Sequence, residues 1–241
     1  MIPTLQLAQF GRAGKVATVG ADPYFANVNL LLHFDGTDGS TTFTDVRGHT
    51  CTANANAQID TAQAKFGGAS GLFDGVGDYV RVAGSPDFYF GAGDFTLECF
   101  VRPVSLTGNR FIASPRRVSG ADYNWIWLVY EGTIYFTAYG PSAGTTLVSL
   151  VGGTLTTGGA FQHVGVTRSG NTWRLLHDGA VVDTETAAGS VYDAAENLLI
   201  GADAAYSGRE WDGHIDEFRL TVGAARYTGA YTVPTAAFPN S

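Results

Sequence analysis

The 241-residue chain has one methionine, two cysteines, and 14 basic residues against 22 acidic ones. Each shortage excludes something. A net charge of −8 has the wrong sign for a domain that grips nucleic acid by its phosphates. Cys51 and Cys99 are too few for a disulfide framework, and Cys99, in an apolar alternation, reads as a buried free thiol. No apolar run reaches the ~18 residues of a membrane-spanning helix. Met1-Ile2-Pro3-Thr4-Leu5 lacks a basic start and an apolar block, so no secretory leader is expected and synthesis in a cytosol is the default. Long amphipathic helical patterns are missing too. What the chain has in plenty is glycine, 32 residues without a collagen-like period, and aromatics at 12%. With 45% hydrophobic and 15% charged residues it has ample material for a core, and disorder is excluded. Many short strands joined by glycine turns are expected.

Residues 1–27 differ from the rest. Glycines interrupt weak helical character, yet Leu5, Leu7, Phe10, Tyr24 and Phe25 are apolar for a free tail. We read 1–27 as an N-terminal arm that docks on a partner, and 28–241 as one domain with an extended C-terminal tail. From Val28 on, strand signals dominate. Asp94 to Val101 alternates, with Phe95, Leu97, Cys99 and Val101 on one side and Thr96, Glu98 and Phe100 on the other. Three hairpins are legible: Glu131-Gly132 after Tyr130, Ser169-Gly170-Asn171 before Thr172, and Asp178-Gly179 after His177. Pro86 to Phe90 suits one short helical turn. Strands recur about every ten residues, which predicts an all-β, antiparallel two-sheet sandwich.

Six blocks in order then carry a resemblance. They are Leu31-Leu32-His33-Phe34-Asp35-Gly36, Phe66-Gly67-Gly68-Ala69-Ser70, Phe73 through Val80, Asp94 through Val101, Trp173 through Gly179, and Gly213-His214-Ile215-Asp216-Glu217-Phe218-Arg219. Together they resemble a laminin-G-like, concanavalin A-like lectin/glucanase jelly roll over roughly residues 28–222. The resemblance implies a concanavalin-like jelly roll of about fourteen strands, in which many relatives bind sugar and others bind proteins or fill space. The ending, Ala225-Arg226-Tyr227-Thr228 through Phe238-Pro239, and the stretch Asp35 to Phe43 are similar to the version in tailed-phage and prophage virion proteins. That implies a non-enzymatic virion structural protein (tail, fibre or capsid decoration), made in the host bacterial cytoplasm. It would adhere to cell-surface carbohydrate, contact other virion proteins through residues 1–27, and act as a homo-oligomer or multicopy assembly. The alternatives are a purely structural assembly protein and a glycan-degrading enzyme.

Chemistry has little to stand on. Glycosidases need two carboxyls flanking the bond. Asp216 and Glu217 are adjacent, so on a regular strand they point to opposite faces, and Glu98 is alone on its strand. No nucleophile elbow, C-x-x-C or H-E-x-x-H occurs. Relatives of this fold often hold calcium, which takes six to eight oxygens. Asp35 and Asp216, on strands expected to be neighbours, are the candidate ligands, with Asp45 and Asp74 behind them; the other reading is that these aspartates make turns.

For a ligand, sugar rings stack on aromatic faces while polar groups take the hydroxyls. Two loops qualify. Arg116, Tyr123 and Trp125 come from the first; Tyr206, Arg209 and Trp211 come from the second. Tyr123, Tyr206 and Trp211 are expected to be exposed, Trp173 to be core. Either loop is equally readable as a packed rim without ligand. Trp125 and Trp127 share one strand face and Ile126, Leu128 and Tyr130 the other; at least one of these faces must be core.

Overall fold

The computed structural model describes residues 21–115, 124–141, 145–192 and 196–241. Fifteen strands run in order: β1 Val28–Leu32, β2 Cys51–Asn54, β3 Gln58–Asp60, β4 Ser70–Asp74, β5 Tyr79–Val82, β6 Phe95–Pro103, β7 Asn109–Ser114, β8 Trp125–Tyr130, β9 Thr133–Tyr139, β10 Thr146–Thr154, β11 Gln162–Ser169, β12 Thr172–His177, β13 Ala180–Thr186, β14 Leu198–Ile200 and β15 Asp212–Val222. Short 3-10 turns occur at Phe25–Asn27 and Pro86–Phe88. An eight-stranded sheet has the order β13-β12-β11-β6-β15-β4-β3, with β1 also on β15; a seven-stranded sheet has the order β10-β9-β8-β7-β14-β5-β2. Every ladder is antiparallel. The expected all-β sandwich is what forms.

All three hairpins are present. Glu131 and Gly132 take φ 47° and 84°, Asp178 and Gly179 take 42° and 86°. These left-handed pairs match strand twist, which is why the Glu-Gly and Asp-Gly dipeptides signal them. The core lies between the sheets. Phe95, Leu97, Cys99 and Val101 point into it, as the alternation predicts, and Trp125, Trp127 and Trp173 join them. An aromatic spine runs through: Phe90 stacks on Phe95 at 3.8 Å, Phe95 meets Trp173 edge-on at 5.5 Å, and Trp125 stacks on Phe136 at 5.9 Å. Such pairs add ~1 kcal/mol each beyond burial.

The outer face of the eight-stranded sheet is covered as well. Thr96, Glu98 and Phe100, on the far side of β6 from the core, are fully buried. Their cover is the C-terminal segment 224–241, here called the strap, with residues 21–25 beside it. Phe238 packs with Val28, Leu31 and Phe100 in a second apolar cluster. Thr96 Oγ1 donates to the Ala224 carbonyl, and Tyr231 N donates to that of Gly179. Of the arm, residues 21–27 are integrated into the domain: the Asp22 amide donates to the Ser241 carbonyl, and the Asn27 side chain donates to the Val222 carbonyl. Residues 1–20 lie outside the described residues.

Candidate functional site

In β8 the residues Trp125, Trp127 and Val129 face the core, so Ile126, Leu128 and Tyr130 face outward; in β9 Ile134, Phe136 and Ala138 face inward and Tyr135 and Thr137 outward. Register places Leu128 opposite Tyr135 and Ile126 opposite Thr137. On the other side of β8, Asn109 stands opposite Tyr130 and Phe111 opposite Leu128. The result is a shallow groove of about 250 Å³ lined by Asn109, Ile126, Leu128, Tyr130, Tyr135 and Thr137. Its floor is aliphatic, two tyrosines stand on it, and an amide and a hydroxyl lie at its margin. Tyr130 is 48% exposed. Apolar surface beside convergent polar groups is the usual make-up of a small-ligand site.

The β14–β15 loop packs against this face. Tyr206 stacks on Phe111 with ring centroids 6.0 Å apart and planes 13° from parallel, and the Arg209 guanidinium lies 4.3 Å from the Tyr206 ring. Two bonds pin the loop: Phe111 N donates to the Arg209 carbonyl, and Ser114 Oγ donates to Asp203 Oδ2 at 2.9 Å. Thus Tyr206 and Arg209 sit together next to the groove, through Phe111.

The other four predicted ligand residues divide differently. Arg116 and Tyr123 lie outside the described residues. Trp125 is 3% exposed and Trp211 0%, and both belong to the central core. The expectation that Trp211 is exposed is therefore corrected. Its amide donates to the Gly201 carbonyl, closing the polar loop at its base, and the side chain enters the core as the chain begins β15. Trp125 is corrected for a simpler reason: it lies on the inner face of β8. The groove residues Ile126, Leu128, Tyr130, Tyr135 and Thr137 were not among the predicted site residues.

Charge is divided between the two sheets. No strand of the seven-stranded sheet contains an aspartate or glutamate, and its only charged residues are Arg81 and Arg110. Every strand carboxylate lies in the other sheet. There Glu98 is held under the strap: Arg219 Nη2 and Nε donate to its Oε1 at 2.7 and 3.0 Å, Tyr227 donates to Oε2 at 2.8 Å, and His163 Nε2 lies 3.1 Å away. Arg226 forms a two-pronged pair with Asp22. Burial alone would raise the Glu98 carboxyl, but Arg219 and His163 outweigh it and bring its pKa to about 2. Glu98 is thus not alone but the centre of a buried network that fastens the strap.

Asp216 and Glu217 do not point to opposite faces. The ladder to β6 gains one residue between Asp216, opposite Phe100, and Arg219, opposite Glu98. Glu217 takes φ 52° in this bulge. Ile215 and Phe218 both enter the core, so the two acids between them face outward. Glu217 Oε1 contacts His33 Nδ1 at 2.7 Å and its Oε2 accepts from Phe238 N. Burial lowers the His33 pKa, but Glu217 and Asn240 overcome that and raise it to about 9.

Asp35 follows β1, which pairs with β15 as expected. Asp35 and Asp216 both approach the 65–67 turn: Lys65 and Phe66 amides donate to Asp216 Oδ2, and the Asp35 carboxyl lies against Gly67. Among the described residues no three His, Cys, Asp or Glu side chains are grouped to hold a metal ion, whereas calcium takes six to eight oxygens. Burial instead pushes the Asp216 carboxyl up to about 7, a group that readily keeps its proton.

Comparison with known proteins agrees with this architecture. The family model described as the concanavalin A-like lectin/glucanases superfamily matches residues 74–225. No curated protein matches the chain in sequence. Among solved structures, the binding domain of Paraclostridial Mosquitocidal Protein 1 is similar at a TM-score of 0.66 and 13% identity, over 85% of this chain and 50% of that one. The receptor binding domain of botulinum neurotoxin D is similar at 0.62 and 11%, over 90% and 51%. A third, from work on botulinum neurotoxin type C and its interaction with two ganglioside molecules, is similar at 0.59 and 11%, over 82% and 48%. The chain spans about half the length of these structures, and the likeness is one of fold. With more than half of its length matched by one family model and both sheets in place, the chain belongs to the concanavalin A-like lectin/glucanases superfamily.

Proposed function

We propose that the chain is a non-enzymatic adhesion module that binds carbohydrate in the groove on its seven-stranded sheet. The observation that carries this reading is the groove itself: an aliphatic floor with Tyr130 and Tyr135 beside Asn109 and Thr137. Tyrosine faces take the C–H side of a sugar ring, and the amide and hydroxyl take its hydroxyls. The same sheet argues against hydrolysis. A glycosidase needs two carboxyls at the bond, and these seven strands supply none. The similar solved structures include binding domains of toxins, one of them tied by name to gangliosides.

The setting we infer is the virion of a tailed phage, as a tail, fibre or decoration protein. Its support is the sequence resemblance of residues 225–239, within the strap, and of the stretch Asp35 to Phe43. Residues 1–27 would join it to other virion proteins. Many copies, each of weak affinity, would adhere through simultaneous contact. A second reading, a purely structural assembly protein, is favoured by one observation. Val76 and Val104 are 74% and 57% exposed, and both loops border Asp212: Gly75 packs on its side chain and Val104 N donates to its carbonyl.

The test is binding of the full chain, displayed multivalently, to a glycan array and to whole cells. Binding that is lost in Tyr135→Ala, with folding intact, is expected. Silence on glycans and cells, with binding to virion proteins lost in Val76→Asp/Val104→Asp, would replace adhesion by assembly.

A further inference from the structure

The groove belongs to an acidic protein, yet the strands that build it carry no acid. The seven strands behind it carry no carboxylate, although the chain has 22 acidic residues. Several acids that contact this sheet are hydrogen-bonded, while Glu210, next to Arg209, keeps a buried carboxylate oxygen without a hydrogen-bond partner among the described residues. Asp183 and Glu185, from β13, accept the amides of Val151 and Ser149 at the outer edge of β10. Asp203 accepts from Ser114 Oγ and from the Ala205 amide. Glu131, at the β8–β9 turn, accepts the Gly108 amide.

Cations, by contrast, stand free. Arg209 is half-buried, and its guanidinium makes no hydrogen bond or ion pair among the described residues; its one contact is the Tyr206 ring. Half-buried Arg174 also has an unpartnered Nη1 among the described residues, but it lies on β12 of the other sheet. Arg219 and Arg226 are bound to Glu98 and Asp22, and Arg168 donates to the carbonyls of Gly170, Gly91 and Gly189. Arg209 is instead held flat by stacking, with its five N–H donors unspent. Arg81, exposed on β5 of the same sheet, is likewise without a hydrogen-bond or ion-pair partner among the described residues. The path from groove to cation is continuous: Leu128 opposes Phe111, Phe111 carries Tyr206, and Tyr206 carries Arg209.

We propose that the groove selects saccharides bearing a carboxylate, and that Arg209 reads that carboxylate while Tyr130 and Tyr135 hold the ring. This rests on the carbohydrate reading above and adds the ligand's charge to it. A planar guanidinium fixed on an aromatic face presents a ready fork for a carboxylate, with little left to order on binding. Strands free of acids lessen the repulsion that a chain of net charge −8 would otherwise impose on such a ligand. Arg209 is the charge reader; the tyrosines are indifferent to charge.

The test uses the full chain, displayed multivalently, and a panel of uronate- and sialate-containing oligosaccharides, each paired with its methyl ester and joined by neutral oligosaccharides. The expected result is that at least one acid binds about tenfold tighter than its ester at low salt, as a charge-assisted hydrogen-bond pair warrants. The preference should shrink in high salt. Arg209→Gln should bring the acid down to its ester, Arg209→Lys should keep part of the preference, and Tyr135→Ala should weaken both. The melting temperature of Arg209→Gln should stay close to wild type, since the side chain's one contact is its stacking on the Tyr206 ring. Equal binding of every acid and its ester, or a preference that survives Arg209→Gln, overturns the acidic-ligand proposal; if Tyr135→Ala still abolishes binding, the carbohydrate groove stands without it. Binding of no saccharide, charged or neutral, removes both.

Discussion

Glu98→Gln tests whether the strap is held by a buried ion network. The carboxylate is fully buried and accepts from Arg219 twice and from Tyr227, with His163 at 3.1 Å. Glutamine removes the charge and turns an N–H₂ donor toward donors. Arg219 is then left with Asp22, 3.3 Å from its Nη1. Breaking a buried pair from one side costs about 3–5 kcal/mol. Linkage gives a similar figure: a carboxyl lowered from 4.5 to about 2 contributes on the order of 3 kcal/mol at neutral pH. For a chain of this size each kcal/mol moves the melting temperature by about 2–4 °C, so a fall of about 10 °C is expected. The pH dependence supplies a second signature. Because the folded pKa is depressed, the stabilisation is complete above 4.5 and is lost as pH falls through 2. Urea denaturation at pH 7 and at pH 3 should therefore show a large gap between wild type and Glu98→Gln at pH 7 that narrows at pH 3. A loss below 1 kcal/mol at pH 7, or a gap that does not narrow, would refute the reasoning.

Other consequences follow from the same geometry. Asp216, raised from 3.8 to about 7, acts with the opposite sign: folding holds its proton, so stability falls as pH rises between these values. Asp216→Asn should be more stable than wild type at pH 8 and lose that advantage at pH 4, by chemical denaturation; calcium should leave the melting temperature of either unchanged. Gly213→Ala should cost more than 2 kcal/mol, since φ is 137° and a Cβ would lie 2.4 Å from the Arg102 carbonyl; a fully stable variant would contradict the register of β15. Deleting 224–241 should expose Phe100 and Leu31, bind a hydrophobic dye and abolish sharp unfolding; a cooperative, dye-silent truncation would show that the strap is dispensable.

The hairpins and the inner face of β6 were legible because their causes are local. Glu131-Gly132 and Asp178-Gly179 need only two residues to specify their torsions, and Phe95 to Val101 needs only period two. The burial of Thr96 and Glu98 was not legible, because the cover arrives from 128 and 129 residues away. The bulge at Glu217 was hidden for a related reason: a shift of register leaves no mark in Asp-Glu-Phe-Arg. Trp211 misled because a polar loop precedes it, though the chain turns inward at that residue. The groove was the hardest case. Trp-Ile-Trp-Leu-Val-Tyr is apolar on both faces, so alternation cannot say which face is core. A usable signal was present nonetheless, in the absence of any acid from 124 to 130 and from 132 to 154.

The measurement closest to the central claim is amide chemical-shift mapping of the full chain with the best-bound oligosaccharide. The account predicts shifts concentrated at Asn109, Ile126 to Tyr130, Tyr135 to Thr137 and Tyr206 to Arg209, with the strap from 224 to 241 unmoved. Shifts confined to the strap, or to the rim at Val76 and Val104, with the groove amides silent, would contradict it.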